Sequence, residues 1–156
     1  MTVEGNKKEL VELLEEKQRR FKYNQLSQYF PDTGMFSRDL YPKHIDFMSS
    51  GKTFNERAFI AANRVGKTIT GGYELTCHLT GKYPAWWEGK TFTRPIRAWV
   101  GSITPVQMKE AVQAILFGSF ADKGTGLLAR ADLLGDDGEL RTWNMAGVPN
   151  VVGTVL

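Results

Sequence analysis

Residues 57–68, RAFIAANRVGKT, lead a short apolar run into a Gly-Lys-Thr triplet, and GKTITGGYELTCHLTG, which starts with the triplet, can be a helix ended by Gly81. That order constrains the fold more than any other feature of the chain. A phosphate-binding loop needs a strand that delivers the chain, a turn that exposes backbone N–H groups, and a helix whose N-terminus faces the anion. Gly-Lys-Thr also occurs at Gly51–Thr53 and Gly89–Thr91. The first copy leads into FNERAFI, which runs toward a strand with little room for a helix. The third follows PAWWE rather than a strand, and Pro95 blocks a helix soon after it. Gly66-Lys67-Thr68 is therefore the candidate, with an ordinary turn as the alternative.

The full loop pattern asks for glycine five positions before Gly66, where this chain has Ala61. The other chemical groups are present. Gly66 lets the backbone approach a phosphate, and Lys67 can reach β- and γ-phosphates. The Thr68 hydroxyl suits Mg²⁺, and the N–H groups of residues 64–68 can form an anion nest. Gly71 and Gly72 fall inside the expected helix. They mark either a weak helix or close packing of that helix on its neighbours.

The remaining pattern is helical at the start and mixed afterwards. Leu10, Leu13, Leu14 and Phe21 form an apolar stripe at helical spacing over residues 6–22. Acidic residues come first in that segment and basic ones last, as the helix dipole favours. Pro31-Asp32-Thr33-Gly34 is a turn signal, and YPKHIDFMSS can be a short helix with Pro42 in its first turn. IRAWVGS, from Ile96, has the length and composition of a second strand. In TPVQMKEAVQAILFG, Thr104 is an N-cap, Pro105 the first helical residue and Gly118 the stop. ELRTWNM and VVGTVL are expected strands, the former after a turn at GDDG. Alternation of strand and helix argues for an α/β fold with parallel pairing.

Composition narrows the class. The 156 residues hold 42% hydrophobic and 24% charged residues, a globular rather than a disordered balance. Lys and Arg number 20 against 17 Asp and Glu, a net charge of +3 that permits contact with nucleic acid without demanding it. No apolar run approaches the roughly 18 residues of a membrane span. The charged N-terminus has no signal-peptide core. The single cysteine, Cys77, cannot form an internal disulfide and is expected as a small buried helix residue. His78 is expected to be structural. Tyr83, Trp86 and Trp87 form an aromatic group that either packs in the core or faces a partner. Lys90, Arg94 and Arg97 either form a solvated face or touch a nucleic-acid backbone.

From about Phe30 to Phe92 the chain resembles the ATPase part of the large terminase subunits of tailed bacteriophages. The carriers are DLYPKH, ANRVGKT and LTGKYPAWWEGK, in that order. The resemblance implies an ASCE-type P-loop fold, a three-layer sandwich with a mostly parallel sheet. Residues 1–29 would be an N-terminal helical segment, and 30–156 a partial ATPase domain, incomplete at its C-terminus. It implies a motor that couples ATP hydrolysis, with Mg²⁺, to the movement of double-stranded viral DNA into the procapsid. It further implies a small terminase subunit and a portal protein as partners, and a homo-oligomer on the portal. The setting would be the host cytoplasm, with transient residence at the portal vertex and no membrane. Lys67 and Thr68 match the lysine and hydroxyl positions of the family loop, and Ala62, Asn63, Arg64, Val65 and Gly66 complete the ATP-binding stretch. Family members often carry an arginine finger four residues before the lysine. Asn63 occupies that position here, and the arginine stands one later, as Arg64, either a finger or a solvated side chain. Tyr41 and His44 fall in the family's adenine-contacting segment, with core packing and a surface or capping role as their respective alternatives.

A motor ATPase also needs an apolar strand ending in Asp-Glu, for Mg²⁺ and for the attacking water. The nearest match, ADLLGDDGEL, places Asp136 and Asp137 after two leucines and a glycine, which suits a hairpin turn better. The expectation is therefore a nucleotide-binding portion, apparently truncated, that turns ATP over poorly and has no nuclease activity. A small-molecule kinase or a non-catalytic interaction module are the alternatives. The first requires phosphoryl transfer to a small acceptor, and the second requires indifference to nucleotide.

Overall fold

The computed structural model describes residues 3–133 apart from Pro95 and Phe120. Helix α1 (Val3–Tyr23) opens the chain. Two 3₁₀ turns follow, Gln25–Gln28 and Arg38–Leu40, then α2 (Pro42–Ser50) and α3 (Lys67–Thr80). Beyond a long irregular stretch come α4 (Pro105–Gln107), a π-helical stretch (Met108–Gln113) and α5 (Ala114–Phe117). The chain then makes a two-stranded antiparallel sheet, β1 (Gly118–Ser119) with β2 (Asp122–Lys123), and a short α6 (Arg130–Leu133).

Local chemistry accounts for the helix ends. α2 starts on Pro42, whose missing N–H costs nothing at a first helical position. α3 stops where Gly81 turns left-handed at φ 69°, its N–H bonded to the Cys77 carbonyl. At α4 the Thr104 hydroxyl accepts the Gln107 N–H at 3.2 Å, and Pro105 holds the first position. The helix expected there is present, but its centre widens into π-helix before α5 resumes. Gly118 ends α5 at φ 80°; a side chain there would run into the Gly126 backbone as well.

Two apolar clusters flank α3. Phe30, Met48, Tyr73 and Cys77 form the first, with Tyr41, Tyr83, Trp86 and Trp87 packed against them. The aromatic group thus belongs to the core side of the molecule. Leu116, Leu128 and Leu133 form the second, with Leu75 and Val112. Gly72 lets α3 approach this second cluster: a methyl group on it would stand 3.0 Å from Leu127 and 3.2 Å from Ile115. Gly71, one residue away, faces open space. The two glycines therefore have different explanations, close packing for Gly72 alone.

The expected strands RAFIAAN and IRAWVGS lie in no hydrogen-bonded ladder among the described residues. Ile60 and Trp99 in these runs stand outward, 92% and 98% exposed, while Phe59 stacks on Phe47. A parallel strand depends on neighbours brought by crossover connections, and an apolar run without them has nothing to pair with. The expected strands ELRTWNM and VVGTVL, and the GDDG turn, lie outside the described residues.

Candidate phosphate-binding loop

The three Gly-Lys-Thr triplets have three different settings. Gly51–Thr53 follows α2, with Gly51 as its C-cap. A side chain on Gly51 would meet Arg57 at 3.0 Å and Glu74 at 3.1 Å. Gly89 lies in a loop, where an added Cβ would come within 2.5 Å of the Met48 carbonyl. Packing alone accounts for those two glycines. Only Gly66-Lys67-Thr68 opens a helix, and α3 runs 14 residues from Lys67.

The loop itself is shaped by two left-handed residues. Gly66 has φ 90° and ψ 9°, a region that glycine enters freely. Arg64 has φ 63°, which costs an L-residue about 1–2 kcal/mol. Such an outlier next to a helix N-terminus is the kind of strain that accompanies binding loops. The Arg64 side chain is exposed and makes no hydrogen bond or ion pair among the described residues. The Gly66 carbonyl accepts from both the Thr70 N–H (2.9 Å) and the Thr70 hydroxyl (3.1 Å), which seats the first turn of α3.

Lys67 folds back across this loop. Its ammonium donates to the Ala61 carbonyl at 2.6 Å and to the Ala62 carbonyl at 2.5 Å. The positive charge is thus held over the loop by neutral acceptors, with no carboxylate paired to it among the described residues. Asn63 and Val65 complete the exposed rim, and Thr68 is the second residue of α3. Thr68 also lines a groove of about 320 Å³ with Gly71, Gly72, Trp99 and Val100 among its walls.

His44 meets the loop from α2, and Tyr41 is the residue just before that helix. The Tyr41 ring sits edge-on to Phe30 (6.1 Å, 84°) and to His44 (5.2 Å, 88°). His44 Nε2 lies 2.7 Å from the Val65 carbonyl. Since a carbonyl only accepts, Nε2 is the donor. The structure therefore brings His44 together with Val65, Gly66 and Lys67, and backs Tyr41 against the core.

Behind the loop, a buried polar chain ties its incoming limb to α3. Arg57 donates to Glu74 at 2.8 Å and to the Phe47 carbonyl at 2.7 Å. Glu74 is buried, with His78 Nε2 at 3.5 Å. His78 Nδ1 lies 3.1 Å from the Tyr83 hydroxyl, which in turn accepts the Phe92 N–H. His78 is thus packed between Glu74 and Tyr83. Sequence reading missed three parts of the arrangement: the Ala61 and Ala62 carbonyls, the Arg57–Glu74 pair, and the bond from His44 to the loop. The one visible signal was the pair itself, an arginine and a glutamate in otherwise apolar segments.

Among the described residues no cluster of acidic, histidine or cysteine side chains suits a metal, and no helix is long and apolar enough to cross a membrane. No family model matches the chain, and no solved structure matches it. Among curated proteins it is similar to the terminase large subunit of Salmonella phage P22, at 31% identity over 141 residues. That similarity covers 81% of this chain and 26% of the phage protein, so the chain spans about a quarter of its relative's length. The order of motifs seen in the sequence and this extended similarity agree: the chain is a relative of the phage terminase large subunit.

Proposed function

We propose that the chain carries the nucleotide-binding loop of a DNA-packaging ATPase. The observation that supports this most is local: a 14-residue helix begins at Lys67, directly behind a left-handed Gly66. A helix N-terminus with free N–H groups and a lysine poised over the loop fits a polyphosphate. In this reading Ala62, Asn63, Arg64, Val65 and Gly66 present backbone to the phosphates. Lys67 moves from the Ala61 and Ala62 carbonyls to the β- and γ-phosphates, and Thr68 binds Mg²⁺. Bound Mg²⁺ supplies charge neutralisation between the phosphates. Arg64, exposed beside the loop, is free to reach the γ-phosphate.

The same reading includes the whole-protein activity: translocation of double-stranded DNA into a procapsid, with a portal and a small terminase subunit as partners, in the host cytoplasm. It also includes the three-layer P-loop fold. The outward Ile60 and Trp99 side chains are apolar surface of the kind that further strands of a parallel sheet would cover. This chain has no apolar run ending in Asp-Glu, so the proposal for it is ATP binding with little turnover.

Titration of a fluorescent ATP analogue with Mg²⁺ tests the proposal. Lys67→Ala is expected to weaken binding at least tenfold, a scale set by the loss of a charged hydrogen bond of about 1.5–3 kcal/mol. Lys52→Ala and Lys90→Ala, in the other two triplets, are expected to bind as the parent does. A folded chain that binds no nucleotide, or one indifferent to Lys67→Ala, would rule the reading out.

A further inference from the structure

We propose that His44 is a positioning residue that fixes the orientation of the Val65–Gly66 peptide, and with it the donor face of the loop. This rests on the phosphate-loop reading above and assigns His44 a task other than contact with a base. His44 Nε2 donates to the Val65 carbonyl at 2.7 Å. A trans peptide holds the carbonyl of one residue and the N–H of the next on opposite sides. With the Val65 oxygen held toward α2, the Gly66 N–H points away from α2. A flip of that peptide would break the bond to His44.

The ring is held so that it can do this. It stands edge-on to Tyr41 at 5.2 Å and edge-on to Phe59 at 5.2 Å. Phe59 lies on the limb entering the loop and Val65 within it, so one imidazole braces both. Its Nδ1 is buried and has no partner among the described residues. The bond to the Val65 carbonyl requires hydrogen on Nε2. Gly66 suits the site by its left-handed φ of 90°, which L side chains rarely adopt. A flip of the Val65–Gly66 peptide would turn on ψ of Val65 and on this φ of Gly66.

The test combines the wild-type chain, His44→Leu, His44→Gln and Lys67→Ala. Leucine keeps apolar bulk without a donor, and glutamine can place an amide nitrogen near the Nε2 position. His44→Leu is expected to fold and to bind ADP and GDP analogues about tenfold more weakly, by the same factor for each base. His44→Gln is expected to recover most of that loss. Nitrogen chemical shifts of the wild-type imidazole, without ligand, are expected to show a hydrogen on Nε2. Unchanged affinity in His44→Leu, or a loss confined to adenine nucleotides, would overturn the inference. So would an Nε2 without hydrogen in the wild-type spectrum, which decides the matter even where His44→Leu fails to fold. Indifference to Lys67→Ala would instead sink the phosphate-loop reading, leaving the imidazole spectrum to judge the clip by itself.

Discussion

Cys77 has no solvent exposure, and burial pushes its thiol up to about 12, with the nearby Glu74 carboxylate adding to the effect. Only the thiolate attacks alkylating agents, and a pKa raised this far leaves almost none of it at pH 8. Iodoacetamide is therefore expected to spare Cys77 in the native chain and to label it fully in denaturant; fast native labelling would contradict the packing around α3. The location of this thiol was legible from its setting in an apolar, helix-forming run. The same holds for Lys67, whose triplet was chosen over two others on local context. Arg64 illustrates the opposite case. Its left-handed backbone at φ 63° follows from how residues 61–66 close beneath Lys67 and His44, and no propensity of arginine announces it. The contact from His44 to Val65 spans 21 positions and was equally silent.

At the scale of elements, α3 joins the loop to both apolar clusters, and its two glycines offer a matched comparison. Alanine is favoured over glycine in a helix by roughly 1 kcal/mol. At Gly71 the added methyl group enters open space, so Gly71→Ala is expected to raise the melting temperature by several degrees. At Gly72 it would press on Leu127 at 3.0 Å and Ile115 at 3.2 Å. Overpacking of that kind costs about 1–3 kcal/mol and offsets the gain. Gly72→Ala is thus expected to melt below Gly71→Ala and no higher than the parent, as read by thermal circular dichroism. Equal stabilisation by both would show that α3 does not bear on Ile115 and Leu127. Helix ends were readable here because their signals are local: Pro42, Gly81, Thr104 with Pro105, and Gly118 each act within a turn. The π-helical centre between α4 and α5 was not, because widening a helix reflects how its face packs. The strand-like runs RAFIAAN and IRAWVGS were recognised by length and apolarity, but pairing depends on partners that those properties do not specify. That difference accounts for two segments that lie in no ladder among the described residues where strands were expected.

For the whole molecule, the question is how the N-terminal helix attaches to the rest. Asp122, on β2, is the meeting point. Its carboxylate accepts from the Tyr23 hydroxyl at 3.1 Å, pairs with Lys22 at 2.5 Å, and pairs with Arg130 at 3.2 Å. The Arg130 guanidinium also lies over the Tyr23 ring, 5.2 Å from its centre. Residues 99 positions apart are thus joined chiefly through one acid, while Leu10, Leu13, Leu14 and Phe21 of α1 stay exposed. The hydrogen bond from Lys22 is the main cause that holds the Asp122 pKa below its usual value, aided by Tyr23 and Arg130. The sign follows from linkage. A depressed carboxylate contributes stability above its unfolded pKa, near 3.8, and loses it as pH falls through the lower folded value. Lys22 is raised, first by Asp122, so its share is complete below its unfolded value of 10.5 and declines only as pH rises through the higher folded one. The attachment is therefore expected to persist across the neutral range and to weaken at both extremes. Lys22 and Arg130 are solvent-exposed and Asp122 is partly so, and added salt weakens their pairing as well. Limited proteolysis checks this directly. Asp122→Ala is expected to speed cleavage in the region of Arg20 and Lys22 at pH 7 while leaving the melting of α2 and α3 nearly unchanged. Cleavage at the parental rate would mean that α1 is secured by contacts other than Asp122.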